Sequence, residues 1–205
     1  MPEGCPTWQF NFKFDLENDM YAQDSIDLLQ RSGIKFDRHK NEGIDVQLFG
    51  ELLISSGLVL NDEITWISFH SGYDFGYLVK ILTCKDIPTE ESDFFDLLHL
   101  YFPCIYDVKM LMTESDTFKG GLNKLAADLE VERVGPMHQA GSDAMLTCAT
   151  FFRLMEANFK DKKLDDKRFL GCIFGLQPYV SSAWEKKSRR LKPFEQPPKG
   201  EKSSG

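Results

Sequence analysis

Two acids in this chain stand where chemistry is often done. Asp74 lies just past a turn in the stretch Ile64-Thr-Trp-Ile-Ser-Phe-His-Ser-Gly-Tyr-Asp-Phe-Gly-Tyr-Leu-Val-Lys-Ile-Leu82, and Asp143 closes the run His138-Gln-Ala-Gly-Ser-Asp143. Carboxylates at such junctions offer the oxygen ligands that hard divalent cations prefer. A bound cation activates a water and stabilises the leaving oxygen in phosphodiester cleavage, and a nearby histidine such as His138 accepts the proton of that water. The set suggests metal-dependent nucleic-acid hydrolysis. Each acid also has a plainer role, because a carboxylate in the first turn of a helix interacts favourably with the helix dipole. By themselves two acids are too few to settle the matter.

Placing these groups takes strands that feed helices. Residues 64–69 form a short apolar, β-branched run, and Phe75, Leu78, Val79 and Leu82 recur at helical spacing. The stretch therefore predicts a strand, a turn at Ser71-Gly72 and a helix. Upstream, Trp8-Gln-Phe-Asn-Phe-Lys-Phe14 alternates apolar and polar residues and predicts a half-buried strand with Trp8, Phe10, Phe12 and Phe14 inward. Residues 19–29 read as a helix capped by Asp19 and stopped at Gly33, residues 35–42 as a charged helix or loop, and residues 46–54 as an apolar helix ending near Gly57. After Pro88 comes an amphipathic helix over residues 90–102, stopped at Pro103, and then a buried strand at 104–108. Lys119-Gly120-Gly121 makes a turn before a helix at 122–129. The longest helix runs over 142–159 with Ser142 as its cap and Met145, Ala149, Phe152, Met155 and Phe159 as its buried stripe. Strands alternating with helices indicate α/β.

Composition narrows the partners. A chain of 205 residues with 42% hydrophobic content and 17 Phe buries one sizeable core. Its net charge of -8 argues against a broad basic surface that captures nucleic acid by charge alone, although acids holding divalent cations can still handle a polyanion. The five cysteines show no C-x-x-C, so a zinc site or disulfide framework is not expected and a reducing compartment fits better. No apolar run is long enough for a membrane span and the start has no signal-peptide pattern, so the chain reads as soluble. From 179 to 205 the composition shifts to Lys, Arg, Pro, Ser and Gly, which predicts a disordered tail; its basic run, Lys186-Lys-Ser-Arg-Arg-Leu-Lys192, reads first as a solvated charge run, with an RNA contact or a nuclear signal as the alternatives.

Beyond these local readings, several longer motifs point together. Thr7-Trp-Gln-Phe-Asn-Phe-Lys-Phe14, Met20-Tyr-Ala-Gln-Asp-Ser25, Ser68-Phe-His-Ser-Gly-Tyr-Asp-Phe-Gly-Tyr77, Tyr106-Asp-Val-Lys109, Lys119-Gly-Gly-Leu122 and Gly135-Pro-Met-His-Gln-Ala-Gly-Ser-Asp143 resemble the deadenylase subunit of the CCR-NOT complex, over residues 7–175. The resemblance implies a ribonuclease-H-like α/β fold, a mixed sheet flanked by helices. It implies an exonuclease of the class named for four acids, Asp-Glu-Asp-Asp, which shortens messenger RNA poly(A) tails from the 3′ end and releases AMP with Mg²⁺ or Mn²⁺. By motif match Asp74 is the third acid and Asp143 the fourth, both metal ligands, and His138 is the general base. Implied partners are poly(A) RNA, the scaffold subunit and the second nuclease subunit of the complex, and antiproliferative adaptors of the BTG/Tob type, with a cytoplasmic and nuclear location and no membrane.

One departure accompanies the match. The family's first two acids form an Asp-x-Glu on a strand well upstream of the Trp-Gln-Phe-Asn-Phe run, whereas here the chain begins six residues before that run. The expectation is a sheet lacking its first strands, and a chain that is inactive and poorly folded when expressed alone. Asp15-Leu16-Glu17 is also an Asp-x-Glu, but it falls at a charged strand end and is not expected to bind metal. His70 reads as a polar junction residue. Three readings remain open: an active deadenylase, an inactive form that retains scaffold or adaptor binding, and a non-functional fragment.

Overall fold

The computed structural model describes residues 7–159, 164–176 and 182–191. At its centre are two short parallel strands, β1 (Thr65–Ser68) and β2 (Cys104–Asp107), paired in the register Thr65↔Cys104 through Ser68↔Asp107. A parallel pair needs a long crossover, and here α4 (Gly72–Thr83) and α5 (Glu91–Tyr101) supply it. Side-chain alternation on β2 feeds both faces of the pair. Ile105 packs with Phe75, Val79, Leu82, Phe95, Leu98 and Phe102 on one side. On the other, Cys104 and Tyr106 join Leu111, Leu125, Phe151 and Leu154. Because both faces are covered, every residue of β2 is buried, as a central parallel strand requires.

The first α-helices, α1 (Gln23–Arg31), α2 (Phe36–Glu42) and α3 (Val46–Ser55), follow the sequence expectation closely, with two changes. Asp19 does not cap α1, whose flanking residue is Ala22. Its carboxylate instead accepts the Asp15 N–H at 2.7 Å and closes a turn before the helix. The segment around Trp8–Phe14 is extended, but its ladder is one parallel bridge, Phe12↔Ile44, and the expected inward row fails at its start. Trp8 is 75% and Phe10 51% exposed. Helices α2 and α3 touch this segment without covering its start: Phe10 and Phe12 pack on Phe49 of α3 with centroids 5.2 and 4.9 Å apart, and Phe14 packs on Phe36 of α2 at 5.7 Å. Alternation marks which residues share a side, and a second layer is needed to bury them all.

The remaining described residues include α6 (Val108–Leu111) with a 3₁₀ turn at Met112–Glu114, α7 (Leu122–Asp128), α8 (Ala140–Asn158), α9 (Asp166–Phe169) and α10 (Ser182–Ser188). Helix α8 starts two residues earlier than expected, with Gln139 flanking it, so Ser142 lies inside the first turn and is not the cap. Its buried side is also rotated. Leu146, Thr150, Phe151, Leu154 and Met155 are buried, while Met145, Ala149 and Phe152 sit half-buried at its edge. The expected stripe followed the edge because Thr147 and Thr150, polar by type, satisfy their hydroxyls on backbone carbonyls of their own helix and can face inward. The disordered tail expected from 179 is corrected between Ser182 and Leu191, where α10 forms and Trp184, 6% exposed, stacks on His99 at 4.0 Å. Residues 177–181 and 192–205 lie outside the described residues.

Candidate active site

Asp74 occupies the first turn of α4, at the carboxyl end of β1, as the strand-turn-helix pattern predicts. Its side chain is exposed and makes no hydrogen bond or ion pair with another described residue. The turn that presents it is tightly held. His70 adopts a left-handed backbone conformation (φ 53°), and the Ser71 hydroxyl donates to Ser68 Oγ at 2.6 Å. Phe75 N–H then closes the first helical bond on the Ser71 carbonyl at 3.0 Å. Beneath the turn sits Asp107, 1% exposed. Its Oδ1 accepts the N–H groups of His70 (2.7 Å) and Lys109 (2.9 Å), and its Oδ2 those of Ser71 (3.3 Å) and Phe174 (3.1 Å). His70 is thus the junction residue expected, with its ring edge-on to Phe174 at 5.3 Å.

Asp143 lies in the first turn of α8, and its surroundings differ. The Arg133 guanidinium reaches Asp143 Oδ1 at 2.6 Å and Ser142 Oγ at 2.9 Å through Nη1, and Asn123 Oδ1 at 2.6 Å through Nη2. The Ser142 hydroxyl in turn donates to the Val134 carbonyl at 2.7 Å. The fork ties the start of α7 and the 130–135 connection to α8, and it leaves Arg133 Nε buried without a partner. The start of α8 is further capped from a distance, by Gln9 Oε1 accepting the Gly141 N–H at 2.8 Å. His138 is exposed and left-handed (φ 62°), on the short connection that leads into α8.

A divalent ion would need more than this. Carboxylates of the right hardness are present, but among the described residues no three acids, histidines or cysteines converge to hold a metal, and one oxygen of Asp143 is taken by Arg133. The described residues do not form a complete metal centre by themselves. Asp15 and Glu17 add nothing to it: both pair with Lys40, at 3.1 and 2.7 Å. The Asp15 carboxyl is lowered by hydrogen bonds from the Glu17 N–H and Asn18, as befits a charged turn. The two buried cysteines, Cys104 and Cys172, offer no nucleophile either. Burial pushes the Cys104 thiol up to about 11 and raises that of Cys172, so neither is a thiolate near neutrality.

Sequence reasoning missed Asp107 and Arg133. A signal existed for the first: an acid inside the apolar run Cys104-Ile-Tyr-Asp-Val108 has to be buried, and a buried carboxylate has to be satisfied. Lys119-Gly120-Gly121 is the turn expected, with Gly120 at φ 102° and its carbonyl accepting from the Lys109 ammonium. No helix among the described residues is long and apolar enough to cross a membrane.

With the geometry in place, known proteins supply the comparison. The chain is 52% identical over 170 residues to the probable CCR4-associated factor 1 homolog 10 of Arabidopsis thaliana, covering 82% of this chain and 60% of that protein. It is 48% identical over 186 residues to the poly(A) ribonuclease pop2 of Schizosaccharomyces pombe, covering 91% of this chain and 55% of the relative. The chain thus spans somewhat more than half the length of the curated relatives it matches. Among solved structures it resembles S. pombe Pop2p in its Mg²⁺ and Mn²⁺ bound form, with TM-score 0.78, 49% identity, and 82% of this chain and 66% of that one covered. It also resembles CAF1 in the structure of the yeast NOT1 MIF4G domain co-crystallized with CAF1, with TM-score 0.68, 32% identity, and coverage of 85% and 69%. The chain shares the ribonuclease-H-like α/β fold with these neighbours. The family model for CAF1 family ribonucleases matches residues 46–151, a span holding both helix starts, Asp74, His138 and Asp143; the chain belongs to the CAF1 family of ribonucleases.

Proposed function

We propose that this chain carries part of a 3′–5′ exoribonuclease site that shortens poly(A) tails, and that it acts as a subunit of the CCR-NOT complex. The single observation that carries the reading is the pair of acids, Asp74 and Asp143, each in the first turn of a helix within the matched family span. In this reading both are oxygen ligands for Mg²⁺ or Mn²⁺, and His138 takes the proton of the attacking water. The described residues do not complete the ligand set by themselves. The decisive probe is Mn²⁺ alone, added to the ¹⁵N-labelled chain. Paramagnetic broadening is expected at the amides flanking Asp74 and Asp143, and an absence of broadening at both turns overturns the assignment. Shortening of oligo(A) in Mg²⁺ or Mn²⁺, lost in Asp74→Ala, supports catalysis by this chain itself.

A second reading, a binding subunit without catalysis, is favoured by one surface. Leu48 and Leu52, one turn apart on α3, are 51 and 59% exposed and present an apolar side uncovered among the described residues. A scaffold-docking role fits it, in line with the yeast complex of NOT1 with CAF1. Adaptor binding of the BTG/Tob type belongs to the same reading. Capture of a MIF4G scaffold domain by a chain that leaves oligo(A) intact decides for this alternative.

A further inference from the structure

We propose that Asp107 is a positioning residue for the Asp74 turn: its buried carboxylate caps its own helix, α6, clamps two distant segments and thereby fixes where α4 begins. The distant segments are the β1–α4 turn, held through His70 and Ser71, and the 171–176 segment, held through Phe174, while the bond from Lys109 N–H is the local cap of α6. A role in touching substrate or metal is excluded by the same geometry. Asp107 is 1% exposed, and each of its oxygens accepts two N–H bonds, so no lone pair is left facing a ligand. The peptide donors substitute for water around a charge that is otherwise costly to bury.

Structural consequences run outward from this carboxylate. Ser71 N–H and Phe174 N–H converge on Oδ2, so the 171–176 segment is held against the start of α4. Phe174 in turn packs on His70 and lies beneath the Lys109 ammonium, 5.4 Å from its ring centroid. Gly171 N–H bonds the Ile105 carbonyl at 3.0 Å, and His99 Nε2 bonds the Gly171 carbonyl at 2.9 Å, anchoring the other end of that segment. Loosening Asp107 therefore frees the α4 start on two sides at once. Asp143 shares none of these bonds and stands as the internal control.

The clamp is tested by amide hydrogen exchange and backbone chemical shifts of the full chain. In the unsubstituted protein the His70 and Phe174 amides are expected to be protected, although both lie outside regular helix or strand. Asp107→Asn keeps the shape and Oδ1 but sets an amide NH₂ against the Ser71 and Phe174 donors. Exchange is expected to rise about tenfold or more at His70, Ser71 and Phe174, the order expected when buried N–H groups lose a charged acceptor. The Asp74 Cα and Cβ shifts should move away from helical values, while Val79 and Leu82 farther along α4, and Asp143, stay unchanged. Unprotected His70 and Phe174 amides in the unsubstituted chain overturn the clamp, and this measurement needs no variant to fold. A uniform rise across the whole chain in Asp107→Asn also overturns it, because that is the signature of a core residue with no positioning role. The functional meaning of the clamp rests on reading Asp74 as a site acid. Failure of the Mn²⁺ probe at Asp74 removes that reading and leaves the exchange result standing, so the two failures are distinguishable.

Discussion

The two helix starts that present the acids are built on opposite plans. At α4 a buried anion, Asp107, gathers backbone N–H groups, and the acid above it, Asp74, keeps its carboxylate unengaged among the described residues. At α8 a mostly buried cation, Arg133, grips the acid itself, so Asp143 spends one oxygen on holding its own turn. Both plans fix a helix start, but only the first leaves its acid available at no structural cost. The difference teaches that a first-turn carboxylate can be a presented ligand or a fastener, and that the sequence pattern is the same for both.

The comparison can be broken most sharply at the clamp. Asp107→Ala orphans four N–H donors, one of them buried and three part-buried, and is expected to lower stability by about 3 kcal/mol, measured by urea denaturation. A loss below about 1 kcal/mol would mean that water readily replaces the carboxylate. Next in size, Asp143→Ala should cost about 1–2 kcal/mol. That is less than a fully buried pair because the Asp143 side chain is 38% exposed, though Arg133, at 16%, is left with its charge unpaired. Adding Arg133→Met should return part of that loss, since it also removes the unpartnered Nε. A double variant less stable than Asp143→Ala would show that Arg133 works mainly through Asn123 and Ser142.

A pH experiment sharpens the contrast from a third direction. His99 is buried against Trp184, and burial lowers its imidazole below the ordinary value of 6.5. The unfolded chain then binds the proton more readily than the folded one. This contribution is fully present above pH 6.5 and is lost as pH falls below it toward the lower folded value. Because His99 anchors Gly171, acidification from pH 7 to 5 should raise amide exchange in the 171–176 segment and the α4 start before it does so at the α8 start. Equal rates of loosening at both would refute the separation. The smallest expected effect is Asp74→Ala, within about 0.5 kcal/mol of the unsubstituted chain by thermal melt, while Mn²⁺ broadening at that turn disappears. A large destabilisation there would make Asp74 a fastener too.

Much of this molecule could be read before any fold was seen. Helical spacing of Phe75, Val79 and Leu82, the β-branched run before them and the glycine at 120 are local properties, fixed by side-chain period and backbone sterics. The first-turn positions of Asp74 and Asp143 followed from those elements, and the long motifs carried the family. Where the sequence misled, the missing information was non-local. Trp8 and Phe10 alternate correctly, yet the helices that touch their segment leave both more than half exposed; α8 turned its threonines inward because its own carbonyls satisfy them; and the tail formed a helix in which Trp184 stacks on His99. Composition and spacing thus determined which residues form elements and which acids stand at their ends. Only the tertiary structure decided that Asp107 is buried beneath one end and Arg133 bound to the other, because the partners that satisfy a buried charge come from segments far apart in the chain.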